Sequence, residues 1–193
     1  APQTKPKVCF VFPGQGQQWV DMGRHLYREE RVFRETIQMC DKIFRDMSGW
    51  SLLQHCGLFD DTTFSADNSP YSSVENALSQ VEVIQPAIMF IQVALFHLWR
   101  HWGVNPDVVV GHSLGEISAA YACGGLTLEE AVAVIYHRSH EQAKQEGTGR
   151  MAALRATREQ AEKICQEHQN LYIAAVNAPG AITLAGNGDV IAT

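Results

Sequence analysis

The chain has 193 residues, enough for one hydrophobic core and a second small one. Hydrophobic residues make up 46% and charged residues 19%, the balance of a folded protein rather than a disordered one. The formal net charge of −6 argues against a nucleic-acid partner, and none is expected.

The first residues, Ala1-Pro2-Gln3-Thr4-Lys5-Pro6-Lys7, carry neither a methionine nor a signal-peptide core. They read as a linker, 1–7, in a chain expected to be cut from a longer one. Val8 to Phe12 is a short apolar run that fits a buried parallel strand, and Pro13-Gly14 ends it. The loop Gly14-Gln15-Gly16-Gln17-Gln18 follows. Phe33, Ile37, Cys40, Phe44 and Met47 recur at helical spacing and mark one face of a helix. Ser51 to Leu53 reads as a short helical piece. The polar stretch from Asp60 to Ser73 reads as a surface loop.

From Gln85-Pro86 the character changes. Pro86 suits a first helical turn. Ile88 to Trp99 is apolar almost all round, so this helix is expected to be buried on more than one side and to end at Gly103. No apolar run approaches the length of a membrane span, and no membrane partner is expected. Asn105-Pro106-Asp107 turns into Val108-Val109-Val110, which runs into Gly111-His112-Ser113-Leu114-Gly115 and a helix to about Cys123. Gly124-Gly125 breaks that helix. Thr127 and Glu130 form a capping-box signature for another, from Leu128 to about Glu146.

The rest has a different rhythm. Met151 to Leu154 is a strand. Thr157 and Gln160 cap a helix to about His168. Leu171–Val176 and Ala181–Ala185 are strands joined by Asn177-Ala178-Pro179-Gly180. The order β-α-β-β is the larger part of a ferredoxin-like unit, and Gly188 begins its second helix. Cysteines stand at Cys9, Cys40, Cys56, Cys123 and Cys165. The odd number and the lack of a C-x-x-C pair fit free thiols in a reducing, cytoplasmic compartment, with no metal site.

Strand, sharp turn and helix with a serine at the apex is the form of a nucleophile elbow, G-x-S-x-G. A helix beginning beside the serine aims unsatisfied N–H groups at the place where an oxyanion would form. Ser113 is therefore the candidate nucleophile. A serine needs a base, and the eight histidines do not supply an obvious one. His112 adjoins Ser113, but a neighbour on so tight a turn points elsewhere and serves packing or hydrogen bonding. His25, His55, His97, His101, His137, His140 and His168 lie on or beside helices, where a surface or satisfied histidine is the default. Arg138 is either a solvated helix residue or a clamp that holds a carboxylate by a bidentate pair.

The motifs Phe12-Pro13-Gly14-Gln15-Gly16-Gln17-Gln18-Trp19, Ile84-Gln85-Pro86-Ala87, Gly111-His112-Ser113-Leu114-Gly115-Glu116, Arg138 and Val176-Asn177-Ala178-Pro179 stand in one order and spacing. Together they resemble the malonyl-CoA:acyl carrier protein transacylases, and more closely the acyltransferase domains of polyketide synthases and animal-type fatty acid synthases. The resemblance implies an α/β fold: a large α/β-hydrolase-like subdomain with a parallel sheet over 8–149, and an incomplete ferredoxin-like subdomain over 150–193. It implies that Ser113 takes the acyl group from an acyl-CoA as an ester and passes it to the phosphopantetheine thiol of an acyl carrier protein. The backbone N–H groups of Gln15 and Leu114 would form the oxyanion hole, and His112 and Asn177 would be supporting residues. Arg138 stands at the position of the family's carboxylate-binding arginine, which favours a dicarboxylic unit. Leu114 after the serine leans towards malonyl-CoA, with methylmalonyl-CoA the other candidate. No cofactor is expected to be bound, and a neighbouring ketosynthase domain and linker are expected partners.

One departure stands out. The family's catalytic histidine follows the ferredoxin-like insert, which places it beyond Thr193. Residues 1–193 alone are therefore expected to show exposed apolar surface and little transfer. The alternatives are a serine thioesterase or esterase, which Arg138 and the Gly-Gln-Gly loop argue against, and an inactive scaffold fragment.

Overall fold

The computed structural model describes residues 6–16, 18–57, 59 and 71–191. The chain divides into two units, Ala1–Ala143 and Lys144–Thr193. The division falls at the end of a helix, a few residues before the boundary read from Gly149.

The first unit begins with β1 (Cys9–Phe12), which pairs in parallel with β2 (Val108–Gly111), Cys9 opposite Val108 and Phe12 opposite Gly111. The side chain of Asp107 accepts from Val8 N–H at 2.8 Å and fixes the start of the pair. Between the strands come α1 (Arg24–Glu29), α2 (Arg31–Ser48), α3 (Leu52–Cys56), α4 (Val74–Ser79) and α5 (Val81–His101). After β2 follow α6 (Gly115–Ala122) and α7 (Leu128–Ala143). The polar stretch expected to be a loop lies mostly outside the described residues.

The expected helical face on α2 buries Phe33, Ile37, Cys40 and Phe44. Met47 does not join them and is 37% exposed, because it falls in the last turn before the Gly49 cap. Asp41 is buried on the same helix. Its carboxylate accepts from Ser51 Oγ at 2.7 Å and Leu53 N–H at 3.1 Å, so the charge is satisfied while α3 is tied to α2.

Helix α5 is the axis of this unit, packed by α2, α6 and α7. Two expectations about it are corrected. Pro86 does not open the helix, which starts five residues earlier at Val81 and carries the proline inside. The missing N–H costs about 3 kcal/mol or more. Unbroken burial from Val83 to Ala94 outweighs it, at about 1.5–3 kcal/mol for each large apolar side chain. The added turn also makes α5 long and apolar enough to cross a membrane, although 78% of its apolar window is buried inside the protein, as in a core helix.

Among the described residues the β1–β2 pair is covered on one face, where Phe12 meets Phe96 and Ala119. Val11 (68% exposed) and Val110 (49%) point the other way. The burial expected of Val8–Phe12 is thus found only in part, with Phe12 buried and Val11 exposed. Both capping boxes form as read. Thr127 N–H donates to Glu130 Oε2 at 2.8 Å and Glu130 N–H to Thr127 Oγ1 at 3.1 Å; the Thr157–Gln160 pair does the same in the second unit.

The second unit holds β3 (Arg150–Leu154), α8 (Arg158–Glu167), β4 (Leu171–Ala178), β5 (Ala181–Gly186) and the short α9 (Gly188–Ile191). The sheet is antiparallel in the order β3-β5-β4, as the β-α-β-β half of a ferredoxin-like unit requires. Pro179 followed by Gly180 at φ 81° is the pair that a type II turn demands between β4 and β5. Ala161 of α8 packs with Leu171, Ile182 and Leu184 in a small separate core.

Candidate active site

The chain leaves β2 at Gly111 and must reverse into α6 within three residues. Ser113 takes up the strain, with φ 56° in the left-handed region, at a cost of roughly 1–3 kcal/mol for a residue with a side chain. The flanking glycines are required by contact. A Cβ on Gly111 would lie 2.4 Å from the Gly115 carbonyl oxygen, and one on Gly115 would lie 2.0 Å from the Phe12 carbonyl oxygen. The turn is closed by Gly115 N–H to His112 O at 3.0 Å and Glu116 N–H to Ser113 O at 3.1 Å. Ser113 stands exposed at the apex, and Leu114 behind it is fully buried.

The Gly-Gln-Gly loop leaves β1 beside this turn. A Cβ on Gly14 would come within 3.1 Å of Ser113 Cβ, so the loop lies directly against the elbow. Its position is fixed from below. Gln92, a polar residue in the apolar α5, donates from Nε2 to Pro13 O at 2.7 Å and accepts from Ser118 Oγ at 2.6 Å. Among the described residues, neither Gln15 N–H nor Leu114 N–H has an acceptor. Leu114 directly follows Ser113, and Gln15 follows the Gly14 that lies against it.

Arg138, on α7, reaches across. Its Nη2 donates to Ser113 Oγ at 3.1 Å. Its Nη1 donates to Gln85 Oε1 and, at 3.3 Å, to Gln142 Oε1. Gln85 Nε2 donates in turn to Gln142 Oε1 at 2.6 Å and to Gln15 Oε1 at 3.2 Å. Among the described residues Arg138 has no carboxylate within ion-pair distance. Burial pushes its pKa below the ordinary arginine value, while the charge of Glu116 pulls the other way. The result is a half-buried cation held by neutral amides beside the serine. Taking such a charge from water is costly, and an incoming anion recovers part of that cost.

Arg138 is thus turned towards Ser113 and only partly exposed. His112 is exposed, and its N–H continues the strand ladder to Phe12 O at 3.0 Å. Asn177, on β4 in the second unit, donates from Nδ2 to Thr183 Oγ1 at 3.0 Å. His97 bonds the Tyr121 hydroxyl at 2.7 Å and His140 meets Glu82 at 2.8 Å, while His25, His101, His137 and His168 are exposed. Sequence reading gave no role to Gln85, Gln92, Gln142 or Ser118. The one signal for Gln92 was a lone amide inside an apolar run; for Gln142 it was the i+4 spacing from Arg138. An apolar groove of about 480 Å³, lined by Phe10, Trp19, Ile88, Leu95 and Trp99 among others, runs beside the loop, and Ser113 and Arg138 are not part of it. Among the described residues no group of three or more His, Cys, Asp and Glu side chains could hold a metal.

A strained elbow serine with a cation beside it fits acyl transfer through a seryl ester on an α/β scaffold, a reaction that also requires a base. The family model for the acyl transferase domain matches residues 9–193, and the chain belongs to that family. It is 35% identical over 96% of its length to the probable polyketide synthase 7 of Dictyostelium discoideum, of which it spans 7%. It is similar in structure to a loading acyltransferase from the avermectin modular polyketide synthase, with 36% identity and a TM-score of 0.79 over 96% of this chain and 56% of that one. It is also similar to the malonyl-CoA:ACP transacylase of Synechocystis, with 29% identity and a TM-score of 0.75 over 97% of this chain and 57% of that one.

Proposed function

We propose that the protein containing this chain moves a dicarboxylic acyl unit, malonyl in the first instance, from coenzyme A to the phosphopantetheine thiol of an acyl carrier protein. The observation that carries the reading is the Arg138 guanidinium, free of any carboxylate among the described residues and 3.1 Å from Ser113 Oγ. In the first half-reaction Ser113 Oγ forms a bond to the thioester carbonyl carbon and the carbon–sulfur bond to coenzyme A breaks. The serine proton leaves through a base to the departing sulfur. In the second, the carrier thiol forms a bond to the same carbon, the ester bond to Oγ breaks, and the thiol proton returns to Oγ. The N–H groups of Gln15 and Leu114 hold the oxyanion in both. Arg138 holds the distal carboxylate and so orients the acyl group.

The chain spans 7% of the polyketide synthase it matches, so transfer is proposed for the whole protein and not for residues 1–193 by themselves. The test incubates the full-length protein with malonyl-CoA, with and without carrier protein. Acylated carrier should greatly exceed free malonate, and Ser113→Ala should abolish both. Release of malonate at the same rate without carrier would instead identify a thioesterase.

A further inference from the structure

A carboxylate four residues from an arginine on a helix faces it and can pair with it. On α7 the residue four after Arg138 is Gln142, an amide. Its Oε1 accepts from Arg138 Nη1 at 3.3 Å and from Gln85 Nε2 at 2.6 Å. The direction of these amides is set by chemistry. A guanidinium only donates, so Gln85 must turn its oxygen to Arg138, which leaves its nitrogen for the oxygens of Gln142 and Gln15. Gln142 therefore fixes both the guanidinium and the amide that braces it.

We propose that Gln142 is a positioning and specificity-determining residue: its uncharged amide holds Arg138 beside Ser113 without neutralising it. The positive charge then stays available to the carboxylate of a dicarboxylic acyl group. A carboxylate at the same place would accept the same two hydrogen bonds, but it would pair with Arg138 and repel the incoming acid. The inference rests on the reading of Arg138 as the partner of the acyl carboxylate.

The experiment measures kcat and KM for acylation of Ser113 by malonyl-CoA and by acetyl-CoA in the full-length protein. Wild type, Arg138→Ala, Gln142→Glu and Gln142→Met are compared. Gln142→Glu should lower the malonyl-over-acetyl ratio about five- to tenfold through the malonyl-CoA KM, since a like charge now faces the substrate. Acetyl loading, which offers no carboxylate to repel, should fall less than malonyl loading. Gln142→Met, which removes the two hydrogen bonds but adds no charge, should lower the malonyl-over-acetyl ratio less than Gln142→Glu does. An unchanged ratio in Gln142→Glu overturns the proposal. So does an equal loss for both substrates in both variants, which is what a merely structural role would give. If wild type does not load malonyl, or Arg138→Ala leaves the ratio unchanged, the underlying reading of Arg138 falls and the inference with it. A normal wild type and a shifted Arg138→Ala beside an unchanged Gln142→Glu remove Gln142 alone.

Discussion

Arg138 Nη2 lies 3.1 Å from Ser113 Oγ although 25 residues separate the two in sequence. The contact spans the gap between the turn before α6 and the middle of α7. Arg138→Ala is expected to lower kcat/KM for malonyl loading by roughly 30-fold, the loss of about 2 kcal/mol of hydrogen bonding to a charged group. Acetyl loading should hold or rise. Equal losses for both acyl groups would remove Arg138 from the substrate's path.

Much of this site is legible in the sequence because its local parts carry local signals. Gly111 and Gly115 announce a turn that no side chain fits, and the β-branched run before them announces a strand. Arg138 is different. Its helix was readable, but its direction depends on where α7 packs, and sequence periodicity does not say which polar residue turns inward. The amides behind it are harder still. Gln85, Gln92 and Gln142 have no special residue chemistry, and they matter only because three segments converge on them. Pro86 misleads in the opposite sense: local preference puts it in a first turn, and tertiary burial of α5 overrides that preference.

The turn itself sets the next expectation. A methyl group on Gly115 would meet the Phe12 carbonyl oxygen at 2.0 Å, and backbone cannot step aside as a side chain can. Gly115→Ala should destabilise the protein by roughly 3 kcal/mol or more, the upper end of overpacking costs, and should displace Ser113. Denaturation midpoints and malonyl loading check it. A variant with unchanged midpoint and loading would mean that the elbow has room not seen here.

His97 gives a pH dependence. It is half-buried on α5 and hydrogen-bonded to Tyr121 of α6 at 2.7 Å. Burial, and then the like charge of Arg100, pull its pKa below the ordinary 6.5. The unfolded chain therefore takes up this proton first as the solution is acidified. Stability from a neutral His97 is present above pH 6.5 and is lost as pH falls below it. Denaturation midpoints measured from about pH 7.5 down to about pH 5 should fall more steeply in wild type than in His97→Gln, given the ordinary histidine range. Identical slopes would assign the acid sensitivity to other groups.

Gln92 joins the two halves of the proposed oxyanion site. One end of its amide holds the carbonyl of Pro13, which precedes the Gly-Gln-Gly loop; the other receives the hydroxyl of Ser118 on the elbow helix. Ser118 is fully buried, so removing its acceptor strands a hydroxyl in the core. Gln92→Leu should cost about 2–4 kcal/mol, from two polar groups left unpaired. The loop carrying Gln15 should also loosen, so kcat for loading should fall while the malonyl-over-acetyl ratio holds, since Arg138 is untouched. Adding Ser118→Ala removes one of the stranded groups and should restore part of the stability. Additive losses in the double variant would show that the hydroxyl and the amide act independently. A fall in the ratio would place Gln92 among the groups that read the acyl chain rather than among those that hold the loop.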